Sequence, residues 1–170
     1  MNPSRPPLRT PVFVSLVVLG ALGPVSLRAE KPDVRAKIIA PPSLSAGSSA
    51  VVIVEMTLGE NWHTNSHTPA EKFLIPTEVG LTTSQGTLSA VRYPRQIERR
   101  FAFSDKPMMV YEGTVRFEAD LSLPKEAVGK VSIAGNLSFQ ACNDRQCFPP
   151  AKIPLEGSIV VSSADSAPRR

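Results

Sequence analysis

The segment Val110-Tyr-Glu-Gly-Thr-Val-Arg-Phe-Glu-Ala-Asp-Leu121 decides the fold class. Val115, Phe117, Ala119 and Leu121 alternate with Arg116, Glu118 and Asp120. Successive side chains of an extended chain leave opposite faces, so this period of two reads as a strand with one buried face and one wet face. Val131 to Ala141 repeats the pattern, with Val131, Ile133, Leu137 and Phe139 on one side. Ala50 to Leu58 is rich in β-branched residues, as a packed strand should be. Further strands are expected over Val34 to Ala40, ended by Pro41-Pro42, and over Ile153 to Val161. Phe73 to Thr82 and Thr87 to Tyr93 complete the set, split by Ser84-Gln85-Gly86. Gly59 to Pro69 is polar and turn-prone, and Pro94 to Pro107 reads as a charged loop carrying Phe101 and Phe103. Seven or so short strands with turns between them predict an all-β protein, an antiparallel β-sandwich of immunoglobulin-like type. The paired cysteines and intervening tryptophan of antibody domains are missing, so that likeness is architectural.

The N-terminus stands apart from this pattern. Arg5 and Arg9 precede an apolar run from Val12 to Leu22, Pro24 breaks any helix, and Ala29 offers a small residue before Glu30. That layout predicts a secretory signal peptide over residues 1–29. The run falls short of the about 20 apolar residues a membrane span needs, and a retained N-terminal anchor is the alternative. Cleavage would remove three arginines (Arg5, Arg9, Arg28) and no acid, so the formal charge would fall from +4 to +1. The basic character therefore belongs mostly to the leader. The rest offers only Arg99-Arg100 and Arg169-Arg170 as basic pairs, too little for a nucleic-acid surface. A domain over residues 30–161, about 130 residues, can build its own core. A Ser/Ala/Pro tail, residues 162–170, is expected to be disordered.

The chain has two cysteines, Cys142 and Cys147, with Asn143, Asp144, Arg145 and Gln146 between them. A four-residue turn of this kind brings two strand ends opposite each other, close enough for a disulfide. Export would place the pair where such a bond persists. A ring of six residues stabilises by only about 2 kcal/mol, against about 5 for a hundred-residue loop. The position therefore favours chemistry, since accessible short-loop disulfides are the ones that exchange. A structural staple is the competing reading. Pro149 and Pro150 keep the following chain extended and out of further pairing.

Gln140-Ala-Cys-x4-Cys-x-Pro-Pro150 resembles the redox hairpin of the N-terminal periplasmic domain of DsbD-type transmembrane thiol–disulfide reductases. Asn61-Trp-His-Thr-Asn-Ser-His67, followed by Phe73-Leu-Ile-Pro-Thr-Glu78, is similar to that family's early strand region. Phe101-Ala-Phe-Ser-Asp-Lys-Pro107, with Val110-Tyr-Glu-Gly113, resembles its cap loop and next strand. Together these cover most of residues 34 to 161. The resemblance implies an immunoglobulin-like domain that takes electrons from a thioredoxin-like domain and hands them to periplasmic thiol proteins, without a cofactor. It implies Cys147 as the exchanging sulfur and Cys142 as the resolving one, with Phe101 or Phe103 as an aromatic cap over the pair. The family's best-known form spaces its cysteines by five residues, where this chain has four. Arg170 ends the sequence without a membrane or thioredoxin-like domain, so a thioredoxin-fold reductant or membrane thiol reductase on a separate chain is expected to supply the electrons. The domain is expected to act as a periplasmic monomer.

His63 and His67, with the two cysteines, have the residue types of a zinc or copper site, and Met108-Met109 would add soft sulfur. The His-x3-His spacing suits a helix, which Trp62 to Pro69 does not predict, so no metal is assigned. Copper binding, or a non-catalytic binding module with a structural disulfide, is the alternative function. His63 or Asn65 could instead tune the thiols, since a donor near sulfur favours the thiolate; Gln140 and Pro149 flank the site in sequence. Glu98, Asp105 and Glu112 read as solvated charges. No Gly-x-Ser-x-Gly motif and no phosphate-binding glycine loop occurs.

Overall fold

A computed structural model describes residues 31–102 and 104–162. The proposed leader, most of the tail and Phe103 lie outside the described residues. Twelve strands follow in order: β1 (Val34–Ile39), β2 (Ser43–Ser45), β3 (Ser49–Leu58), β4 (His63–Asn65), β5 (Glu78–Thr83) and β6 (Thr87–Leu88). Then come β7 (Ile97–Arg99), β8 (Met108–Glu112), β9 (Thr114–Ser122), β10 (Lys130–Phe139), β11 (Ala141–Cys142) and β12 (Ala151–Ser162). No helix occurs among the described residues. The protein is an all-β, immunoglobulin-like sandwich.

One sheet runs β1-β3-β9-β6 and the other β2-β12-β10-β5. Every pairing is antiparallel except β2 with β12. Between the sheets lie Val52, Val54 and Met56 of β3, Phe117, Ala119 and Leu121 of β9, Val131, Ile133 and Leu137 of β10, and Ile159 of β12, all essentially without solvent contact. The alternation read in the sequence is thus the inward face of the sandwich. Gly135 sits where a Cβ would come within 2.0 Å of the Gly80 carbonyl oxygen, so only glycine lets β10 approach β5 that closely.

A third sheet, β11-β4-β8-β7, caps one end, and it departs from the sequence reading. Val110 to Leu121 is two strands. Gly113, at φ +65°, breaks the chain between β8 and β9, in a left-handed conformation that costs glycine least. β8 then joins β4 and β9 joins β3, so Val110 and Tyr111 are both buried and the alternation stops there. Val131 to Ala141 also divides, at Gln140, because Ala141–Cys142 leaves β10 to pair with β4. The segment read as a turn, Gly59 to Pro69, contains β4, all three residues of which are buried. The loop from Pro94 to Pro107 contains β7. Phe73 to Thr77 is not strand: Glu71 accepts a turn hydrogen bond from Leu74, and Phe73 is 79 % exposed. Thr87 to Tyr93 pairs only through Thr87–Leu88 and an isolated Arg92–Glu118 bridge. Short edge segments are held by neighbours distant in sequence, and local propensity misses them.

Candidate redox site at the capping sheet

Cys142 ends β11, and Cys147 faces it across a tight hairpin as its antiparallel bridge partner. The two are joined as a disulfide with Cα atoms 4.0 Å apart. The hairpin is built from its own residues. Asn143 N–H donates to the Gln146 carbonyl, and Asn143 Oδ1 accepts from the N–H groups of Arg145 (3.0 Å) and Gln146 (2.9 Å). An Asn side chain that satisfies backbone donors two and three residues on fixes such a turn. At the base, Phe148 N–H donates to the Ala141 carbonyl and Gln140 Nε2 donates to the Phe148 carbonyl at 3.0 Å. The Phe148 ring meets Trp62 edge-on at 5.2 Å, which anchors the hairpin to the core. Gln140 therefore braces the motif through its backbone, while Pro149 is exposed just beyond it.

The two sulfurs occupy different surroundings. Cys142 has no solvent exposure, whereas Cys147 is exposed. An attacking thiolate can reach only an accessible sulfur, so this asymmetry dictates which end of the bond is available.

His63 lies beside the buried end. In the β4/β11 ladder it stands directly opposite Cys142, and in the β4/β8 ladder directly opposite Glu112. Residues paired this way share a face of the sheet. The imidazole is 2 % exposed, and its Nε2 has no hydrogen-bond partner among the described residues. Burial pushes its pKa below the ordinary histidine range; Glu112 and Asp144 pull upward and Arg99 adds to the depression. Phe101, half-buried, stacks on the imidazole with ring centroids 4.1 Å apart and planes at 15°. Of the two aromatic residues read as a cap, Phe101 is thus placed on His63; Phe103 lies outside the described residues.

Glu112 is not the solvated charge the sequence led us to expect. It is half-buried, and its Oε1 accepts from Arg99 Nε at 2.9 Å. With Trp62, His63, Glu60 and Asp144 these two residues line a cleft of about 280 Å³ beside the disulfide hairpin. Arg99 and Asp144 are contributions that sequence reasoning missed. The hairpin's Asn-Asp pair was visible as a turn former, but no local signal ties Arg99 to Glu112 thirteen residues away.

Asn65 is fully buried; its Nδ2 donates to the Ile75 carbonyl at 2.9 Å, and its backbone carbonyl accepts from Thr77 Oγ1. It fastens the 66–77 loop to β4, two residues along from His63. The His67 ring stacks on Tyr93 at 3.6 Å, with Nδ1 3.4 Å from the Thr77 carbonyl. Met108 is buried in β8. Among the described residues no three His, Cys, Asp or Glu side chains converge on a common point as a metal centre requires, and the two sulfurs are bonded to each other.

Solved structures similar to the chain include the following three. The N-terminal periplasmic domain of ScsB from Proteus mirabilis matches at 17 % identity and a TM-score of 0.47, covering 72 % of this chain and 43 % of that one. The DsbD N-terminal domain of Neisseria meningitidis, in its reduced form, matches at 14 % identity and 0.43, covering 66 % and 80 %. The seventh ScaB type I cohesin of Pseudobacteroides cellulosolvens matches at 12 % and 0.48, covering 79 % and 97 %. The chain thus spans less than half of the ScsB structure it matches. Comparison with curated proteins gave no match. No helix among the described residues is long and apolar enough to cross a membrane. The family model described as "Thiol:disulfide interchange protein DsbD, N-terminal" matches residues 34–154, which carry both cysteines, the β4 segment and the Phe101 loop, and the chain belongs to that family.

Proposed function

We propose that this chain is an exported electron-relay domain that passes reducing equivalents through the Cys142–Cys147 pair. The observation that carries the reading is the contrast between an exposed Cys147 and a fully buried Cys142 at the tip of a self-braced hairpin. A reductant's thiolate attacks Cys147 Sγ; the Cys142–Cys147 bond breaks and its electron pair leaves on Cys142. A second thiolate of the reductant then attacks its own sulfur in the mixed disulfide and releases Cys147 as a thiolate. In the forward half, Cys147 attacks a disulfide of the acceptor, and Cys142 attacks Cys147 to release the reduced acceptor. Two electrons enter and two leave, so no cofactor is required.

The reductant is a thioredoxin-fold protein or a membrane thiol reductase on another chain, and the acceptors are periplasmic proteins with accessible disulfides. The relay works as a monomer, after removal of a signal peptide over residues 1–29. Family membership supports this reading. The direct test mixes the oxidised domain with a reduced thioredoxin-fold protein and counts thiols after acid quenching. Two thiols are expected to appear on this chain for every two lost by the donor; an unchanged disulfide under excess donor overturns the proposal.

Phe101 is the cap of the relay. Its ring covers His63, the ladder neighbour of Cys142, and shields that side of the pair from small thiols and oxidants. Phe101→Ala is expected to cost about 1 kcal/mol of stability, the worth of one stacked pair. It should speed reaction of the reduced pair with a small disulfide reagent. Unchanged reactivity with easy unfolding would show that the ring is packing and not a cap.

A further inference from the structure

The geometry points to His63 as the group that takes the proton of Cys142 when the resolving thiol attacks, an assignment that rests on the relay reading and adds a residue to it. The relay leaves a difficulty at the buried sulfur. Cys142 has no exposure, so as a thiol it has no water to deprotonate it, and a buried thiolate is disfavoured by desolvation. A base must be supplied from the protein.

His63 is the base that the ladder register places beside Cys142. It is the direct ladder partner of Cys142, so the two side chains leave the sheet on one face with Cβ atoms about 5 Å apart. Its Nε2 is buried and unpartnered among the described residues while the cysteines are bonded to each other. An orphaned buried nitrogen is costly. A thiol released at Cys142 by reduction would supply the missing partner. Phe101 holds the ring from one face. The groups facing the imidazole are Glu112 on β8, tied to Arg99 of β7, Asp144 of the hairpin, and Glu60 on the rim of the shared cleft. Burial outweighs the pull of Glu112 and Asp144 and favours the neutral ring, the form that can accept a proton.

The step balances. Cys142 Sγ–H gives its proton to His63 Nε2, and the thiolate attacks Cys147 Sγ in the mixed disulfide. The Cys147–acceptor bond breaks and its electron pair leaves on the acceptor sulfur, which takes a proton from the imidazolium or from water. Cys142 and Cys147 are oxidised together by two electrons, and the acceptor is reduced by two. Run backwards, the imidazolium protonates Cys142 as it leaves.

The test uses the reduced full chain and excess glutathione disulfide, with acid quenching and mass spectrometry to follow decay of the glutathione adduct on Cys147. In His63→Gln the adduct is expected to live about 10²-fold longer at pH 7, the scale of one general base. The difference should shrink as pH rises past the ordinary thiol range, about 8.5. Equal lifetimes, or a ratio constant with pH, overturns the assignment. A second measurement leaves the chain unmodified and holds even where the variant fails to fold: the ¹⁵N resonance of His63 Nε2 in oxidised and reduced protein, with His67 as internal reference. A redox-linked shift at His63 and none at His67 is expected; an unchanged His63 overturns the assignment. Absence of any adduct on Cys147 would sink the relay itself, an outcome distinct from either.

Discussion

In a Cys142→Ser variant, a thioredoxin-fold partner whose own resolving cysteine is replaced by serine is expected to accumulate as a mixed disulfide on Cys147, with most of the chain trapped. Cys147→Ser should trap little. The reason is access. Cys147 lies on the open side of the hairpin, whereas Cys142 sits in β11 under its neighbours with no exposure. Without Cys142, and with no second thiolate on the partner, nothing can resolve the adduct, so it persists. Without Cys147 the remaining thiol is walled off from any protein partner. Mass spectrometry of the two variants reads the outcome after incubation with that single-cysteine partner as its glutathione mixed disulfide, glutathione leaving as Cys147 attacks. Equal adducts, or adducts on Cys142 alone, would reverse the roles of the two sulfurs.

The largest expected loss of stability is at Phe117. Its ring, 1 % exposed in β9, meets Tyr93 edge-on at 5.5 Å and Tyr111 at 5.7 Å. Tyr111, in β8, ties two loops to the capping sheet, and Tyr93 ties its own loop to β5. Tyr93 Oη accepts from Val79 N–H at 3.0 Å, and Tyr111 Oη accepts from His67 N–H and donates to the Pro94 carbonyl. Phe117 is therefore the packing joint between the sandwich and the sheet that carries His63 and Cys142. Phe117→Ala removes a large buried ring and leaves a cavity, at a cost of about 3–5 kcal/mol. That is a large share of the about 5–15 kcal/mol of a typical domain. Denaturant unfolding should show the midpoint falling with an unchanged slope. Phe73→Ala, at a 79 % exposed ring, should shift it by no more than about 0.5 kcal/mol.

The sandwich was legible because its strands obey one rule along their length. Val115 to Leu121 and Val131 to Phe139 put every second residue inside, and the structure buries those same residues apart from Gly135. The capping sheet obeys no such rule. Trp62 to Ser66 is buried on both faces although most of it is polar; Ile75, Thr77 and Met109 bond the Asn65 amide nitrogen, the Asn65 carbonyl and the Ser66 N–H from outside the strand. Periodicity cannot register a strand whose partners are remote and whose buried residues are His, Thr and Asn. The cysteine hairpin could be read from its turn residues alone. That His63 stands opposite Cys142 could not, since it depends on β11 leaving β10 at Gln140 and crossing to β4. The same crossing turns Glu112 from a strand charge into a neighbour of the site.

Phe148 on Trp62, the Asn143-braced turn and the Gln140–Phe148 bond hold the hairpin by contacts other than the disulfide. Such a hairpin is expected to keep its shape when the bond opens, which a relay needs and a staple does not. The central claim is that the bond opens and closes in use. Equilibrating the purified chain with a graded glutathione or dithiothreitol couple, and reading the fraction of Cys142 and Cys147 as free thiols, gives its reduction potential. A relay predicts a value above about −300 mV with the domain folded in both states; a value below that, or unfolding on reduction, is the mark of a structural disulfide and would contradict the account.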